Sequence, residues 1–223
     1  MTENLTTYTE VDPNSTITVS SSRVTVDGMR RNAYEYICKD FGAGYFNEID
    51  ISFAFYLAST SKDGCAANVA LSNNNEGKFW RSPIVSFFIF RASPSVWEVY
   101  YQVGNHDAVL IDSGFSSDTV YYARMRRAAS ADKIYFYLYS DAYHNNLIAS
   151  ANDTIDARWA FRYFYPVMSS NIEYGAAVDF DGYFEKFDLG GNIASRNGVS
   201  WGSISKINGT AIGNISKING VEV

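Results

Sequence analysis

The clearest pattern in the chain is the alternation of apolar and polar positions in the segment 48–57, which reads EIDISFAFYL. Every second residue from Ile49 onward is apolar, whereas Glu48, Asp50 and Ser52 occupy the positions between them. Successive side chains of a β-strand point to opposite faces of its sheet, so this period of two predicts a strand with one face in a core. Apolar residues at the helical spacing of i, i+3, i+4 and i+7 are scarce in the rest of the chain.

Strand-like segments recur at short intervals, and turn-forming clusters such as SNNNEG, GNHD, SGFSSD and DAYHNN lie between them. Many short strands separated by turns predict an all-β protein, either a sandwich or a barrel. A parallel sheet is disfavoured because no strand–helix–strand rhythm is visible. Besides 49–57, strands are predicted within 15–26, 66–71, 84–91, 96–103, 120–127, 133–140, 160–166 and 176–189.

The C-terminal segment, 192–223, is repetitive. Its Asn-Gly pairs begin at Asn197, Asn208 and Asn219, at a spacing of eleven residues. Asn-Gly favours two-residue hairpins because both residues accept a positive φ, so each unit is predicted to supply two short strands. So few units cannot hold a core, and the tail is expected to dock on the main domain, on a symmetry mate or on another protein. The residues expected to serve this assembly are Asn197, Trp201, Ile204, Ile207, Ile212, Ile215 and Ile218.

These patterns divide the chain into a polar, extended N-terminal arm (1–14), a β domain (15–191) and the repeat tail (192–223). A length of 223 residues suits one large β domain with an appendage, and such a domain needs no disulfide or metal to be stable. The chain contains 17 Tyr, 15 Phe and 4 Trp, residue types that favour a pleated, half-buried surface. Cys38 and Cys65 could form a disulfide or remain two buried thiols.

The net charge of −6 and the pI near 4.9 repel a phosphate backbone and an anionic membrane surface, so nucleic acid is not an expected partner. The first residues, MTENLTTYTEVDP, lack the basic and apolar regions of a signal peptide. No apolar run approaches the roughly 18 residues of a membrane span. The sequence therefore predicts a soluble protein without a signal peptide, a transmembrane segment or membrane insertion.

Four phrases resemble the concanavalin A-like lectin/glucanase superfamily, especially the laminin G-like domains of phage and environmental virion proteins. They are FNEIDISFAFYLAS, VYYARMRRAASADKIYFYLYSDAYHNNLIAS, FRYFYPVMSS and GYFEKFDLGG, and the similarity covers about 15–191. The resemblance implies an antiparallel two-sheet β-sandwich of the jelly-roll type. It also implies a virion appendage or decoration subunit with a lectin-like domain displayed outward. The ISKING repeats resemble C-terminal tails of phage structural proteins.

From this resemblance we expect a non-catalytic protein that adheres to a cell-surface or extracellular glycan and is located on the virion surface. Its expected partners are further copies of itself and other virion proteins. A purely structural oligomer or filament subunit without a ligand is the first alternative. A polysaccharide-cleaving enzyme is the second.

The enzyme alternative can be examined on one strand. Glycoside hydrolases of this superfamily carry an E-x-D-x-x-E or E-x-D-x-E pattern on one strand, whose alternation directs the carboxylates into one cleft. Glu48 and Asp50 match its first two positions, but Ser52 and Phe53 stand where the third acid would be. A retaining mechanism needs both a nucleophile and a general acid, so this strand cannot supply it alone. We therefore expect Glu48 and Asp50 to form the solvent face of an amphipathic strand.

The best binding candidate is the segment KIYFYLYS, in which Tyr135, Tyr137 and Tyr139 alternate with apolar residues. Tyrosine combines a flat apolar ring with a polar hydroxyl group. The three side chains can therefore stack on sugar rings, form a protein interface or simply pair across the sheet. In the nearby basic cluster, Arg124 and Arg126 share a face and are expected to pair with acidic residues of a neighbouring strand.

Two turns add polar candidates for a hydroxyl-rich ligand. The loop NNNEGKF provides Asn74 and Asn75, and the loop GNHD provides Asn105 and His106. The alternative for both is an ordinary solvated turn. His144 also lies in a polar turn, and neither histidine has a His or Cys neighbour at zinc-ligand spacing.

Three acidic residues near the end of the sandwich are the candidates for a metal. Asp179, Asp181 and Asp188 carry the hard oxygen ligands that calcium prefers. The first two alternate with apolar residues or glycine, as in any amphipathic strand. The sequence therefore predicts no catalytic residue, no metal site and no cofactor, with calcium as the alternative.

Overall fold

A computed structural model describes most of the chain and shows an all-β architecture. The described residues are 3–31, 34–75, 84–104, 107–169 and 179–190, with four short strands in the tail. Within the first unit the strands are Thr9–Val11 (β1), Ile17–Val19 (β2), Arg23–Arg30 (β3), Tyr36–Asp40 (β4), Ile49–Leu57 (β5), Ala66–Ser72 (β6), Ile84–Ser93 (β7), Val96–Val103 (β8), Val109–Phe115 (β9), Thr119–Arg127 (β10), Lys133–Tyr139 (β11), Leu147–Thr154 (β12), Tyr163–Ser169 (β13) and Asp179–Asp188 (β14).

The fourteen strands form two seven-stranded sheets. Sheet I has the order β1-β4-β13-β6-β7-β8-β9, and sheet II has the order β12-β11-β10-β5-β14-β3-β2. Every pairing between these strands is antiparallel. The predicted two-sheet antiparallel β-sandwich is therefore confirmed. In the described part of the chain, no helix is long and apolar enough to cross a membrane.

Aromatic side chains from both sheets meet in the core between them. The Phe53 ring of sheet II packs edge-on against the Phe87 ring of sheet I, with centroids 5.6 Å apart. Trp97 of sheet I meets Phe180 of sheet II in the same way at 5.9 Å. All four side chains are at most 2% exposed. Because β5 and β8 alternate strictly between buried and partly exposed positions over most of their length, their predicted bounds of 49–57 and 96–103 match the structure.

The strands that sequence analysis did not predict lack this alternation. β4 is buried at three successive positions because the outer face of sheet I is covered as well as its inner face. β9 and β12 are edge strands whose residues are largely exposed on both faces. Cys38 and Cys65 are two free, buried thiols, and burial raises the pKa of Cys65 to about 12.

Residues 3–14, predicted to be an arm outside the sandwich, contribute to it. Leu5 is 1% exposed in the core, at the start of a 3-10 turn whose N-terminus is capped by Asn4. β1 then pairs with β4 at the edge of sheet I. The compact unit accordingly comprises Met1–Gly190. A single buried leucine and one edge strand in a polar segment give too weak a periodic signal to be recognised in the sequence.

The remaining residues, Gly191–Val223, form a second unit. Its described strands are Lys206–Ile207 (β15), Thr210–Ala211 (β16), Lys217–Ile218 (β17) and Val221–Glu222 (β18). β15 pairs with β16 and β17 pairs with β18, each across one Asn-Gly pair, as the hairpin prediction requires. The docking role remains a prediction, and Asn197, Trp201, Ile204, Ile212 and Ile215 lie outside the described residues.

One buried charge connects the end of β10 to the loop that follows β12. Arg127 is 1% exposed, and its guanidinium donates hydrogen bonds to the carbonyls of Ala131, Asp156, Ala157 and Trp159. Desolvation by burial lowers the pKa of Arg127. These four carbonyls belong to two separate connections, so the side chain holds both against the sandwich.

We expect Arg127→Met to lower the free energy of unfolding by about 2–3 kcal/mol, because it removes the donors and leaves the carbonyls unsatisfied. Urea denaturation of the full chain measures the change. Arg126→Met, which alters the neighbouring exposed arginine, should cost less than about 0.5 kcal/mol. Equal losses for the two variants would show that the buried hydrogen bonds do not stabilise the fold.

Candidate functional site

The predicted tyrosine stripe lies on the outward face of sheet II. In β11, Ile134 and Phe136 are fully buried toward sheet I, so Tyr135, Tyr137 and Tyr139 point to the other side. Their rings follow one another at centroid distances of 6.3 Å, with interplanar angles of 15° and 26°. We call these three side chains the tyrosine ladder. The ladder forms a continuous aromatic row along one strand.

The two ends of the ladder differ in accessibility. Tyr135 is 39% exposed and Tyr137 is half-buried, whereas Tyr139 is only 9% exposed. The imidazole of His144 covers Tyr139, with ring centroids 4.6 Å apart. Tyr139, predicted as a ligand contact, therefore forms the closed end of the ladder, and Tyr135 and Tyr137 form its open part.

The turn between β11 and β12 positions His144. The Asp141 carboxylate accepts hydrogen bonds from the backbone N–H groups of Tyr143, Asn145 and Asn146 at 2.6–3.1 Å, and these bonds lower its pKa. His144 itself has a φ of 57°, in the left-handed region. Sequence analysis identified this turn but missed the role of its histidine. The available signal was an aspartate that opens a polar turn directly after the ladder.

An ion pair stands beside the middle of the ladder. Arg124 on β10 lies opposite Tyr137 on one side and opposite Ser52 of β5 on the other. Its guanidinium donates two hydrogen bonds of 2.7 Å, one to each oxygen of Asp50. These bonds raise the pKa of Arg124. The expected pairing of this arginine with an acid on a neighbouring strand is present, and both oxygens of Asp50 are engaged by it.

Arg126, expected to pair in the same way, has a different environment. It lies opposite Tyr135 on one side and opposite Asp50 on the other, and it is exposed. Within the part of the chain that the structure describes, Arg126 makes no hydrogen bond or ion pair, since Asp50 is already held by Arg124. An unpaired guanidinium therefore lies beside the open end of the ladder.

Farther across the same face, the aromatic side chains are satisfied by neighbours within the protein. Tyr56 and Tyr183 stack with centroids 4.9 Å apart and nearly parallel planes. Arg23 lies over the Tyr183 ring at 3.9 Å and also pairs with Glu185. The Tyr56 hydroxyl donates to Asp118 at 2.8 Å. This pair is thus already covered and hydrogen-bonded, unlike Tyr135 and Tyr137.

The predicted asparagines are not near the ladder. Asn74 and Asn75 follow β6 of sheet I, and their backbone carbonyls accept hydrogen bonds from the hydroxyls of Tyr165 and Tyr36. They therefore help to close the outer face of sheet I. The structure does not bring them together with the tyrosines. A loop sequence indicates that a turn is present, but it does not indicate which of the two sheets the loop borders. Asn105 and His106 lie outside the described residues.

The acidic residues considered for calcium have structural partners. Asp179 pairs with Arg30 at 3.1 Å, and Asp181 accepts a hydrogen bond from the backbone N–H of Gly28 at 2.7 Å. Among the described residues, no group of three or more His, Cys, Asp or Glu side chains could hold a metal ion. Asp188 lies opposite Ser52 on the outward face of sheet II.

The sequence matches no protein-family model and no curated protein. Solved structures resemble the chain in fold. A functionally unknown protein from Saccharomyces cerevisiae has a TM-score of 0.56 at 10% identity, covering 85% of this chain and 98% of that one. The Bacillus licheniformis β-glucanase has a TM-score of 0.51 at 8% identity, with coverages of 81% and 89%. The exoplasmic/lumenal domain of VIP36, in its Ca2+/Man3GlcNAc-bound form, has a TM-score of 0.50 at 10% identity, with coverages of 87% and 88%.

The fold is that of the concanavalin A-like lectins and glucanases. The expected jelly-roll architecture is therefore confirmed. At identities of 8–10% the likeness concerns the fold alone. The chemistry of the outward face of sheet II has to be argued from the residues of this chain.

We expect the protein to lose stability as the pH is lowered, partly through His144. Burial and the nearby Arg124 lower the pKa of this imidazole, against weaker opposing effects of Asp141 and Asp50. The unfolded chain then binds more protons than the folded chain as pH falls through about 6.5, so stability is lost in that range. Asparagine also accepts positive φ, so His144→Asn keeps the turn and removes the titration. Urea denaturation at pH 7.5 and pH 5 should show a smaller loss for His144→Asn, and equal losses would contradict the assignment.

Proposed function

We propose that the chain is a non-catalytic, lectin-like subunit that binds glycan through the tyrosine ladder of sheet II. The ladder is the observation that carries the proposal. Tyr135 and Tyr137 present nearly parallel rings on an open face, and such rings can lie against the apolar face of a sugar while their hydroxyls bond to it. The fold shared with a glucanase and with a glycan-bound lectin domain supports this interpretation.

The absence of catalysis in the proposal is supported by the residues around Asp50. Retaining cleavage requires a nucleophile and a general acid about 5–5.5 Å apart. Both oxygens of Asp50 accept hydrogen bonds from Arg124, and Ser52 occupies the place of the third acid on this strand. Glu48 is exposed in the bend directly before β5. The strand therefore contributes polar side chains to the proposed site but not the pair of carboxylates that retaining cleavage requires.

We place the protein on a virion surface, as an appendage or decoration subunit. The four phrases that resemble phage and environmental virion domains support this setting, as do the C-terminal repeats. An open aromatic face makes few contacts with each sugar, so one copy binds weakly. Many copies on one particle can raise the avidity by about 10²–10⁴ without any new contact.

Binding to glycan should depend on the ladder. With the full chain displayed in many copies on beads, Tyr137→Ala is expected to weaken retention of glycans by about fivefold per site, because an aromatic contact of about 1 kcal/mol is lost. A glycan array followed by titration on the retained glycans provides the measurement. The matched control is Tyr100→Ala, which removes a half-buried tyrosine from the outward face of sheet I and should leave retention unchanged.

Two results would contradict the proposal. One is that the wild-type protein retains no glycan, or that it retains glycans equally well after Tyr137→Ala. The other is release of reducing sugar ends from a retained polysaccharide, which would show that the protein is an enzyme.

A second candidate function, that of a structural oligomer subunit, is favoured by the edge of the sandwich where β9 and β12 lie close together. Val109, Leu110, Leu147 and Ile148 are between 37% and 53% exposed on these two edge strands. Neither strand contains the proline or lysine that commonly protects an edge from pairing with another chain. The apolar edge suits a second copy of this chain.

If the edge joins two copies, light scattering after size exclusion should show a dimer or larger species for the wild type. Leu147→Lys should give a monomer, because it places a charge in the apolar contact. Thr154→Lys adds the same charge at the far, exposed end of β12 and should leave the oligomer intact. A monomeric wild type, or an oligomer that survives Leu147→Lys, would exclude this edge as the interface.

A further inference from the structure

The open end of the ladder is positively charged in an acidic protein. Arg126 lies directly opposite Tyr135 across the β10–β11 pair, at a position where opposed Cβ atoms are typically about 4.5–5.5 Å apart. Lys133 stands two residues before Tyr135 on β11, with its side chain exposed on the same face. The chain as a whole carries a net charge of −6. The most accessible ring of the ladder therefore has two positively charged side chains beside it, although the protein as a whole is acidic.

The other arginines of this face are already engaged by carboxylates. Arg23 pairs with Glu185, Arg30 pairs with Asp179, and Arg124 pairs with Asp50. Among the arginines that the structure describes on the outward face of sheet II, Arg126 is the one without such a partner. Its cross-strand neighbour Asp50 could have served, but both oxygens of that carboxylate accept from Arg124. The pairing leaves Arg126 available to a ligand.

The acidic side chains near this end are accounted for separately. Glu48 precedes β5 and lies two residues before Asp50, on the far side of β10 from the ladder. Asp132 precedes β11 and is exposed. Neither makes an ion pair with Arg126 or Lys133 in the described part of the chain. Neither of these carboxylates therefore neutralises the guanidinium or the ammonium beside Tyr135 through a direct ion pair.

A guanidinium has a specific use in such a position. Its planar set of N–H donors matches the oxygens of a carboxylate, sulfate or phosphate group in a bidentate arrangement, and charge assistance makes these bonds short and strong. A sugar ring stacked on Tyr135 would hold a substituent of the ring within reach of the next strand. The chemical group that fits both features is an anionic substituent on a pyranose.

We propose that the ligand of the tyrosine ladder is an acidic glycan, in which a sugar ring stacks on Tyr135 and its carboxylate or sulfate accepts hydrogen bonds from Arg126. Lys133 supplies a second positive charge to the same group or to the next acidic sugar along the chain. The inference rests on the proposed glycan-binding function and names the class of glycan. It gives the unpaired arginine a role that the fold does not require.

The test compares polysaccharides that differ in charge alone. Polygalacturonate is matched with its methyl ester, and dextran sulfate with dextran, each titrated against the full chain coupled to beads. We expect the acidic member of at least one pair to bind about tenfold more tightly than its neutral partner at low salt, and salt to reduce the difference. The pair that shows the difference distinguishes a carboxylate from a sulfate ligand.

Variants then assign the difference to one side chain. Arg126→Gln should bring the acidic and neutral polysaccharides within about twofold of each other, and Arg126→Lys should restore part of the preference because it keeps the charge without the planar donors. Arg30→Gln is the matched control, since it lowers the net charge equally but lies on β3, separated from β10 by two strands. Arg30→Gln should leave the preference unchanged.

The outcomes separate this inference from the function on which it rests. Equal binding of acidic and neutral members, still sensitive to Tyr137→Ala, would overturn the acidic-glycan inference and leave the glycan-binding proposal intact. Equal losses for Arg126→Gln and Arg30→Gln would overturn it as well, because they would show attraction by bulk charge. Failure of every polysaccharide and of the glycan array to bind would overturn the proposed function itself.

Discussion

A β-strand sends successive side chains to opposite faces, so burying one set fixes the position of the other. In this protein, Phe53 and Phe55 of β5 are drawn into the aromatic core, which turns Asp50 and Ser52 outward. The register of β5 with β10 then sets Asp50 opposite Arg126 and within hydrogen-bond reach of Arg124. A slip of one residue would send the apolar set to solvent, so the core protects the arrangement of the outward face.

This constraint explains how much of the fold could be predicted from sequence. β5 and β8 have one face in the core and the other partly exposed, so alternation alone located both of their ends. The segment YICKD of β4 has consecutive buried residues because sheet I is covered on both faces, and no period of two survives there. The edge strand β12 was not predicted for the opposite reason, since most of its residues are exposed. Alternation thus locates strands with one buried face, whereas β4, buried on both faces, and the exposed edge strand β12 do not show it.

The candidate site was predictable only in part, for the same reason. Alternation placed the three tyrosines of β11 on one outward face without any knowledge of the neighbours of that strand. The closure of Tyr139 by His144 depends on a turn whose backbone is held by Asp141, and the competition of Arg124 and Arg126 for Asp50 depends on register. The first depends on the geometry of a turn and the second on strand register, and an alternation of apolar and polar positions contains neither.

Two arginines of β10 lie beside one carboxylate, and only one of them pairs with it. Arg124 forms the bidentate pair with Asp50, so that pair is neutral as a unit and remains beside the middle of the ladder. The remaining positive charge lies two residues further along β10, at Arg126, beside the most exposed end of the ladder. A protein with a net charge of −6 thereby presents a cation at a defined place without an excess of basic residues.

The two outward faces of the sandwich are not equivalent, and this difference favours sheet II as the functional one. On sheet I, Tyr36 and Tyr165 are at most 9% exposed, and their hydroxyls donate to loop carbonyls. Asn68 and Ser86 on the same sheet are also buried, and within the described part of the chain each has a polar atom without a hydrogen-bond partner, which lowers the stability of the fold. That face is closed even at the expense of unsatisfied polar groups. On sheet II, Tyr135 and Tyr137 remain accessible, and Arg126 has no ion-pair partner among the described residues, so a ligand there can gain contacts without displacing a structural partner.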